Sequence, residues 1–130
     1  MGKNLDWKSK GSIDEAIESI AYSKVVRFYP TIIHKITGLP LETVFEYLLT
    51  RVEDKTLILK WEIKCPDYNC QHVIIRTESI SDYMGKHIEC DCEEEIEVKN
   101  SNTFPVFEIN EEFRAYVRSK KKSLNLLKAL

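Results

Sequence analysis

The first 64 residues alternate between stretches whose apolar residues recur at helical spacing and short β-branched segments. The capping box Ser12-Ile13-Asp14-Glu15 predicts the start of a first helix, because its hydroxyl and carboxylate satisfy free amides at a helix end. Residues 1–11 are then expected to be a flexible N-terminus. Lys24–Phe28 is short and β-branched, which favours a small strand or an extended joint. The apolar face of the first helix is predicted to be Ile13, Ala16, Ile17, Ile20 and Ala21.

Two more helices and a strand are predicted to follow. Pro30 suits a first helical position and Gly38 a helix end, so a short second helix lies between them, with Ile32, Ile33 and Ile36 on its apolar face. The third helix runs from Leu41 to Asp54 on the stripe Leu41, Val44, Phe45, Leu48 and Val52. The run Leu57–Lys64 places Leu57, Leu59, Trp61 and Ile63 on one face, which is the period of a half-buried strand.

Residues 12–64 resemble winged-helix modules, because three helices with Gly38 in the second turn are followed by a strand. The resemblance implies DNA binding with the third helix in the major groove. The exposed face of that helix argues against this function, since carboxylates repel the phosphate backbone that Lys and Arg would contact. That face is predicted to carry Glu42, Thr43, Glu46, Tyr47, Thr50 and Glu53, with Arg51 as its only fixed positive charge.

All four cysteines lie in the next part of the chain, as two close pairs separated by 19 residues without cysteine. Two tight turns that each offer two thiolates can hold one tetrahedral Zn²⁺. Strand-like segments flank the pairs at 72–77, 85–89 and 94–98. Residues 65–109 therefore resemble zinc ribbons, and four thiolate ligands would make the metal structural, with no open position for water. The predicted ligands are Cys65, Cys70, Cys90 and Cys92.

The cysteine spacing departs from the usual knuckle, in which two residues separate the thiols and Gly follows the second. Four residues separate the first pair and one separates the second, so the backbone has to turn at Asp91. Gln71 and Glu93 stand where Gly would relieve the turn. Three alternatives remain open: His87 replaces a cysteine ligand, His72 does so, or four reduced thiols bind no metal.

Composition and charge narrow the class of protein. Apolar content of 43% and charged content of 31% are typical of a soluble globular chain. No apolar run approaches the roughly 18 residues of a membrane helix, and a cytoplasmic location is predicted, where paired thiols favour metal over disulfide. The net charge of −2 divides into +1 for residues 1–64, −7 for 65–109 and +4 for 110–130. This asymmetry favours protein partners over a nucleic-acid surface.

The C-terminal part is predicted to form a strand and a basic helix. Thr103–Ile109 has Phe107 and Ile109 facing inward, and Pro105 suggests an edge position. Asn110 caps an amphipathic helix over 110–130. Its apolar residues are Phe113, Tyr116, Val117, Leu124, Leu126, Leu127 and Leu130, and its basic residues are Arg114, Arg118, Lys120, Lys121 and Lys122. The helix either contacts nucleic acid or a partner, or packs on its own chain.

Catalysis is not expected, because only three histidines are present and no nucleophile elbow, phosphate loop or metal-hydrolase motif occurs. A winged helix followed by a zinc ribbon also resembles, in element order, the large subunit of general transcription factor E and its archaeal relatives. That resemblance implies modules that work mainly through protein contacts around polymerase. The sequence thus predicts an α+β chain, an N-terminal winged helix-turn-helix abutting a small β zinc ribbon with a C-terminal helix. Its predicted function is a non-enzymatic zinc-binding adaptor, with a DNA-binding transcriptional regulator as the alternative.

Overall fold

The computed structural model describes residues 5–129, with side chains described as far as Lys120. It is a mixed α+β fold, which confirms the predicted class at that level. The described elements are α1 (Trp7–Tyr22), β1 (Arg27–Phe28), α2 (Pro30–Thr37), α3 (Leu41–Glu53), β2 (Leu57–Lys64), β3 (Val73–Thr77), β4 (His87–Glu89), β5 (Glu95–Glu97), β6 (Thr103–Ile109) and α4 (Glu111–Ala129). In this part of the chain, no helix combines the length and apolar content that crossing a bilayer requires.

Four strands form one sheet in the hydrogen-bonded order β1-β6-β2-β3, and β4 pairs with β5 in a separate hairpin. β1 is antiparallel to β6, with Arg27 opposite Glu108 and Phe28 opposite Phe107. The last strand therefore lies inside the sheet, and the edge position predicted from Pro105 is wrong. Pro105 is tolerated because it lies beyond the residues that pair with β1, so its missing amide removes no bond to that strand.

The chain divides into two compact units. Unit 1 comprises residues 1–58 and 107–130, and unit 2 comprises residues 59–106. These boundaries differ from those predicted at 64/65 and 109/110, because unit 2 is inserted between the two parts of unit 1. β2 and β6 each begin in one unit and end in the other, and α4 belongs to unit 1.

The core of unit 1 is formed by its helices together with β6. Phe107 is fully buried and contacts the rings of Phe28 and Phe45, each with a centroid separation of 6.0 Å. The C-terminal end of β6 thus packs in the same aromatic cluster as the helices, and residues 107–109 therefore belong to unit 1. The other fully buried residues of this core are Ile13, Ile17, Ala21, Ile33, Val44, Leu48, Leu57 and Val117.

Helix α1 begins earlier than predicted. Its N-cap is Asp6, whose carboxylate accepts a hydrogen bond from the Ser9 amide at 2.8 Å, so Ser12 lies inside the helix. Residues 7–11, expected in a flexible N-terminus, are helical. The sequence offers two capping residues, and the earlier one is used even though Gly11 then lies in the helix interior.

Helix α2 has the predicted bounds and α3 ends one residue before the predicted Asp54, but α2 does not bury its predicted face. Gly38 ends α2 in the left-handed conformation (φ 76°), as expected. Ile33 is buried, whereas Ile32 and Ile36 are 41% and 58% exposed. On α3, Val44 and Leu48 are buried and Leu41 is exposed.

The basic residues of α4 contact α1 rather than solvent alone. Arg114 is buried and donates hydrogen bonds to the carbonyls of Ala21, Ser23 and Val25. Arg118 also donates to the Ser23 carbonyl, and Lys120 pairs with Glu18 of α1. Among the described residues, α4 therefore packs on its own protein. The predicted roles of Lys121, Lys122 and the terminal leucines lie outside the described side chains.

Unit 2 has a small apolar core. Its buried apolar residues, in addition to two cysteines, are Ile63, Ile96, Val98 and Val106. The alternation predicted for β2 is incomplete, because Glu62 is buried (1% exposed) and its carboxylate pairs with Arg76 of β3 at 2.8 Å. In a strand with one apolar face, residue 62 would be exposed to solvent. Here it is buried, and its carboxylate is paired with Arg76.

Candidate metal centre

The first cysteine pair is held by a loop that leaves β2 and returns into β3. Cys65 directly follows β2, and its amide donates to the His72 carbonyl at 2.9 Å. Within the loop, the amides of Cys70 and Gln71 both donate to the Asp67 carbonyl, at 3.0 and 3.1 Å. This turn brings the ends of the four-residue spacer together, so both thiols reach the same side of the loop.

The second pair lies in the tight connection between β4 and β5. The Cys90 amide donates to the Glu94 carbonyl at 2.9 Å, and the Glu93 amide donates back to the Cys90 carbonyl at 2.8 Å. Residues 90–93 are therefore a turn, as a spacing of one residue requires if both thiols are to face one point. The chain turns around Asp91, where the sequence argument places the turn.

Both loops have a residue in the left-handed conformation directly after the second cysteine. Gln71 has φ 54° and Glu93 has φ 74°. These are the two positions at which the sequence lacks the usual Gly. A side chain in this conformation costs about 1–2 kcal/mol, so the rest of each loop has to compensate.

The two loops bring all four sulfurs together. Every pair among Cys65, Cys70, Cys90 and Cys92 has its Sγ atoms within 4.8 Å. Two of these contacts join opposite loops: 3.6 Å between Cys65 and Cys92, and 3.5 Å between Cys70 and Cys90. Four sulfurs at about 2.3 Å from one tetrahedral Zn²⁺ lie about 3.8 Å apart. The cluster thus has the dimensions of a tetrathiolate metal site, and its cysteines are free thiols.

Backbone amides point at three of the sulfurs. The amides of His72, Cys92 and Glu94 donate to the sulfurs of Cys70, Cys90 and Cys92, in each case two residues before the donor. Such amides stabilise thiolates and orient them, as outer-shell donors do around metal ligands. The sequence does not reveal these donors, because they belong to the backbone and depend on the turn geometry.

The pKa values of the neighbouring thiols are shifted in opposite directions: that of Cys90 is lowered, and those of Cys70 and Cys92 are raised. For Cys90, the Cys92 amide is the largest influence and the pKa is lowered. For Cys92, the Glu94 amide lowers the pKa, but burial and the neighbouring thiols outweigh it and raise the pKa to about 12. The pKa of Cys70 is raised despite the His72 amide, through burial and the Cys90 thiol. Without a cation, four sulfurs this close cannot all be ionised, so the cluster suits a bound cation.

The two histidines considered as substitute ligands are not part of the four-sulfur cluster. His72 is exposed, with Nδ1 at 3.6 Å from the Cys70 sulfur. His87 is exposed on β4, opposite Glu97. The group of metal-ligating side chains that lie mutually close consists of the four cysteines alone, among the residues whose side chains are described.

The surroundings of the cluster are acidic. β4 and β5 place Glu89 opposite Glu95, and both are exposed. Asp91, Glu93 and Glu94 are exposed in the turn itself. Unit 2 contains ten Asp and Glu against five Lys and Arg. Four thiolates around a divalent cation would add a further charge of −2 to this surface.

The exposed face of α3 differs in part from the predicted one. Glu42, Glu46 and Glu53 are exposed, as expected. Tyr47 is half-buried and donates a hydrogen bond to Asp14 of α1 at 2.9 Å. Arg51 pairs with the same carboxylate at 3.4 Å, so the positive charge of this helix is partly neutralised.

Comparisons of the chain with protein-family models, with curated proteins and with solved structures found no match.

Proposed function

We propose that this chain is a non-enzymatic zinc-binding adaptor that mediates protein–protein contacts in a larger assembly. The observation that carries the proposal is the cluster of four free thiols within 4.8 Å of one another. Cys65, Cys70, Cys90 and Cys92 would hold Zn²⁺ and supply all four of its ligands. A closed tetrahedral site has no position for substrate or water, so the metal's contribution is to stability.

The composition of unit 2 supports a structural metal. Apart from its cysteines, it buries only four apolar residues among the 48 residues from Leu59 to Val106. A core of this size is too small to hold a module of this length by apolar burial alone. Metal binding would supply the missing free energy of folding, since the four ligands converge only in the folded state.

The order and pairing of the strands and helices extend the resemblance to a winged helix and a zinc ribbon. A winged helix has a β-hairpin after its third helix, and here the hydrogen-bonded neighbours β2 and β6 take that place. Unit 2 would then be a zinc-ribbon-like insertion between the two strands of the wing. The order α1, β1, α2, α3, β2 and β6 supports this assignment, as does the position of β6 between β1 and β2.

The charge distribution favours protein partners over DNA. The third helix of a winged helix enters the major groove, and here its exposed carboxylates Glu42, Glu46 and Glu53 would face phosphate. Arg51, its one cation, pairs with Asp14 and with Asp54 at 2.6 Å. Arg114 and Lys120 of the basic tail are likewise paired within unit 1.

The metal part of the proposal is tested by zinc content and unfolding of the full chain. The purified protein should contain one zinc per chain, and Cys65→Ser or Cys90→Ser should lose the metal and melt at a lower temperature. Tyr68→Ser is the matched control, because Tyr68 lies in the first cysteine loop and is 83% exposed. Absence of zinc, with unchanged melting of the cysteine variants, would refute the structural site.

The adaptor part is tested by binding to mixed-sequence duplex DNA across a salt series. No binding at low salt is expected from an acidic third helix and paired tail cations. Tight binding that weakens steeply with salt would instead support the transcriptional regulator. Replacing Glu46 by Lys in the same assay provides a control, because an exposed cation at that position should raise DNA affinity only if α3 approaches the phosphate backbone.

A further inference from the structure

Unit 1 has an apolar groove between the segment that precedes β1 and helix α2. Its volume is about 330 Å³, and its apolar walls are formed by Val25, Phe28 and Ile32. Arg27 and Lys35 also line it. Volumes of this order accommodate one or two large side chains of a bound segment.

The apolar surface continues beyond the groove along α2. Ile32 and Ile36 are four residues apart, so they lie on the same side of the helix, and they are 41% and 58% exposed. Val25, at the groove itself, is 47% exposed. Adjacent aliphatic side chains left this accessible around a cavity are typical of an interaction surface.

The lining of the groove has an excess of positive charge. It contains Arg27 and Lys35 and no Asp or Glu, but Arg27 is paired with Glu108, so the excess charge comes from Lys35. Lys35 is exposed, and Arg27 is 39% exposed with its Nε bonded to Glu108 at 3.0 Å. An apolar floor with positive charge beside it is complementary to an apolar side chain flanked by carboxylates.

We propose that this groove docks a segment of a partner protein in which large apolar side chains are flanked by Asp or Glu. The inference rests on the proposed adaptor function and names the surface and the partner chemistry that it would use. The apolar side chains would occupy the groove at Val25 and Ile32, and a flanking carboxylate would pair with Lys35.

A second copy of this chain fits the groove poorly. Two identical grooves facing each other across a two-fold axis would bring the Lys35 side chains of both copies together. The acidic β4–β5 hairpin of another copy has the required charge, but its Ile96 is buried and its Ile88 is only partly exposed, so it offers no fully exposed aliphatic side chain to the groove.

The test is a titration of the full, zinc-loaded chain with short synthetic peptides, followed by amide chemical shifts and fluorescence anisotropy. The first peptide has Leu-Phe at its centre and Glu or Asp on both sides. It should bind saturably, with shift changes concentrated in residues 25–36. One comparison peptide has Lys in place of the acids and another has Ser-Ser at the centre, and each should bind about tenfold or more weakly. Absence of saturable binding by the first peptide would overturn the inference.

Variants locate the binding. Lys35→Glu and Ile36→Ser change exposed side chains, so the fold should persist, and each should weaken binding about fivefold or more. Lys10→Glu is the matched control, because Lys10 is exposed on α1 and does not line the groove. Equal losses for Lys10→Glu and Lys35→Glu would mean non-specific charge attraction and would overturn the site. Self-association abolished by Ile36→Ser would instead assign the surface to a second copy.

The result is separable from the test of the proposed function. All groove residues lie in unit 1, whereas the cysteines lie in unit 2. If a protein that contains zinc and does not bind DNA also fails to bind the first peptide, the groove proposal is refuted and the adaptor proposal stands. A lack of zinc would remove the metal proposal without deciding whether the groove binds the peptide.

Discussion

Replacing Arg114 by Met tests how the end of α1 is held to α4. Arg114 is 5% exposed, and its guanidinium donates to the carbonyls of Ala21 at 2.9 Å, Ser23 and Val25. The carbonyls in the last turn of a helix have no partner within the helix. A cation at this end also interacts favourably with the helix dipole. Met keeps most of the volume of the side chain and removes every donor.

The size of the effect follows from the number and burial of the acceptors. A hydrogen bond to a charged group contributes about 1.5–3 kcal/mol to stability. Water can reach the acceptors that lie near the surface, so the three bonds do not add in full. The Ala21 carbonyl is in the buried part of the contact and is left unpaired. We therefore expect Arg114→Met to lower the free energy of unfolding by about 3 kcal/mol.

Urea unfolding followed by the far-ultraviolet circular dichroism of the helices measures this loss, because α1 to α4 all lie in unit 1. Arg118→Met is the matched control: Arg118 lies on the same helix, donates to the same Ser23 carbonyl at 2.8 Å and is exposed. Arg118→Met should lower the free energy of unfolding by less than about 1 kcal/mol. Equal, small losses for both variants would refute the argument that the buried guanidinium holds the end of α1.

Three further substitutions test individual contacts. Glu93→Gly should stabilise unit 2 by about 0.5–1 kcal/mol, because Glu93 has φ 74°, whereas Glu94→Gly, where φ is not positive, should destabilise it. Urea unfolding followed by Trp61 fluorescence measures both changes, with Trp7→Phe as the background that removes the other tryptophan. Tyr47→Phe removes the hydrogen bond to Asp14 and should lower the free energy of unfolding by about 1 kcal/mol. Burial and then the Asp14 carboxylate raise the pKa of Tyr47 from 10.0 to about 12, so wild-type stability should fall between those pH values and the Phe variant should lack that part of the fall. Arg76→Met, which leaves the buried Glu62 carboxylate without this partner, should cost about 2 kcal/mol, and replacing both residues by Leu should recover most of it.

Local sequence signals predicted the elements well. β2 and β6 have the predicted bounds. α2 begins at Pro30, which suits a first helical position, and is capped at its C-terminal end by Gly38. Caps, proline and glycine act within a few residues, so a single sequence reveals them. The start of α1 was wrong because Asp6 and Ser12 are both capable caps, and the choice between them depends on packing.

Long-range pairing was not predictable in the same way. No local pattern states that β6 returns to β1, so unit 1 was predicted to close before the cysteines. The convergence of the cysteines was predictable from their number and spacing, but the amides that donate to three sulfurs were not. The exposure of Ile32 and Ile36 was also missed, because helical periodicity shows which residues share a face and not whether anything covers it.

Because unit 2 is inserted in unit 1, the proposed metal binding in unit 2 should also stabilise the helices of unit 1. β6 reaches β1 only after 48 inserted residues, 59–106. If these residues unfold when the metal is lost, they become a flexible loop, and closing it costs about 3 kcal/mol from (3/2)RT ln n. A chelator should therefore lower the urea stability of the helical signal by up to about 3 kcal/mol. Cys90→Ser should show the same loss without chelator and no further loss with it. A chelator effect of equal size on that variant would mean that the chelator acts elsewhere, and helix stability unaffected by zinc would mean that unit 2 stays closed without metal.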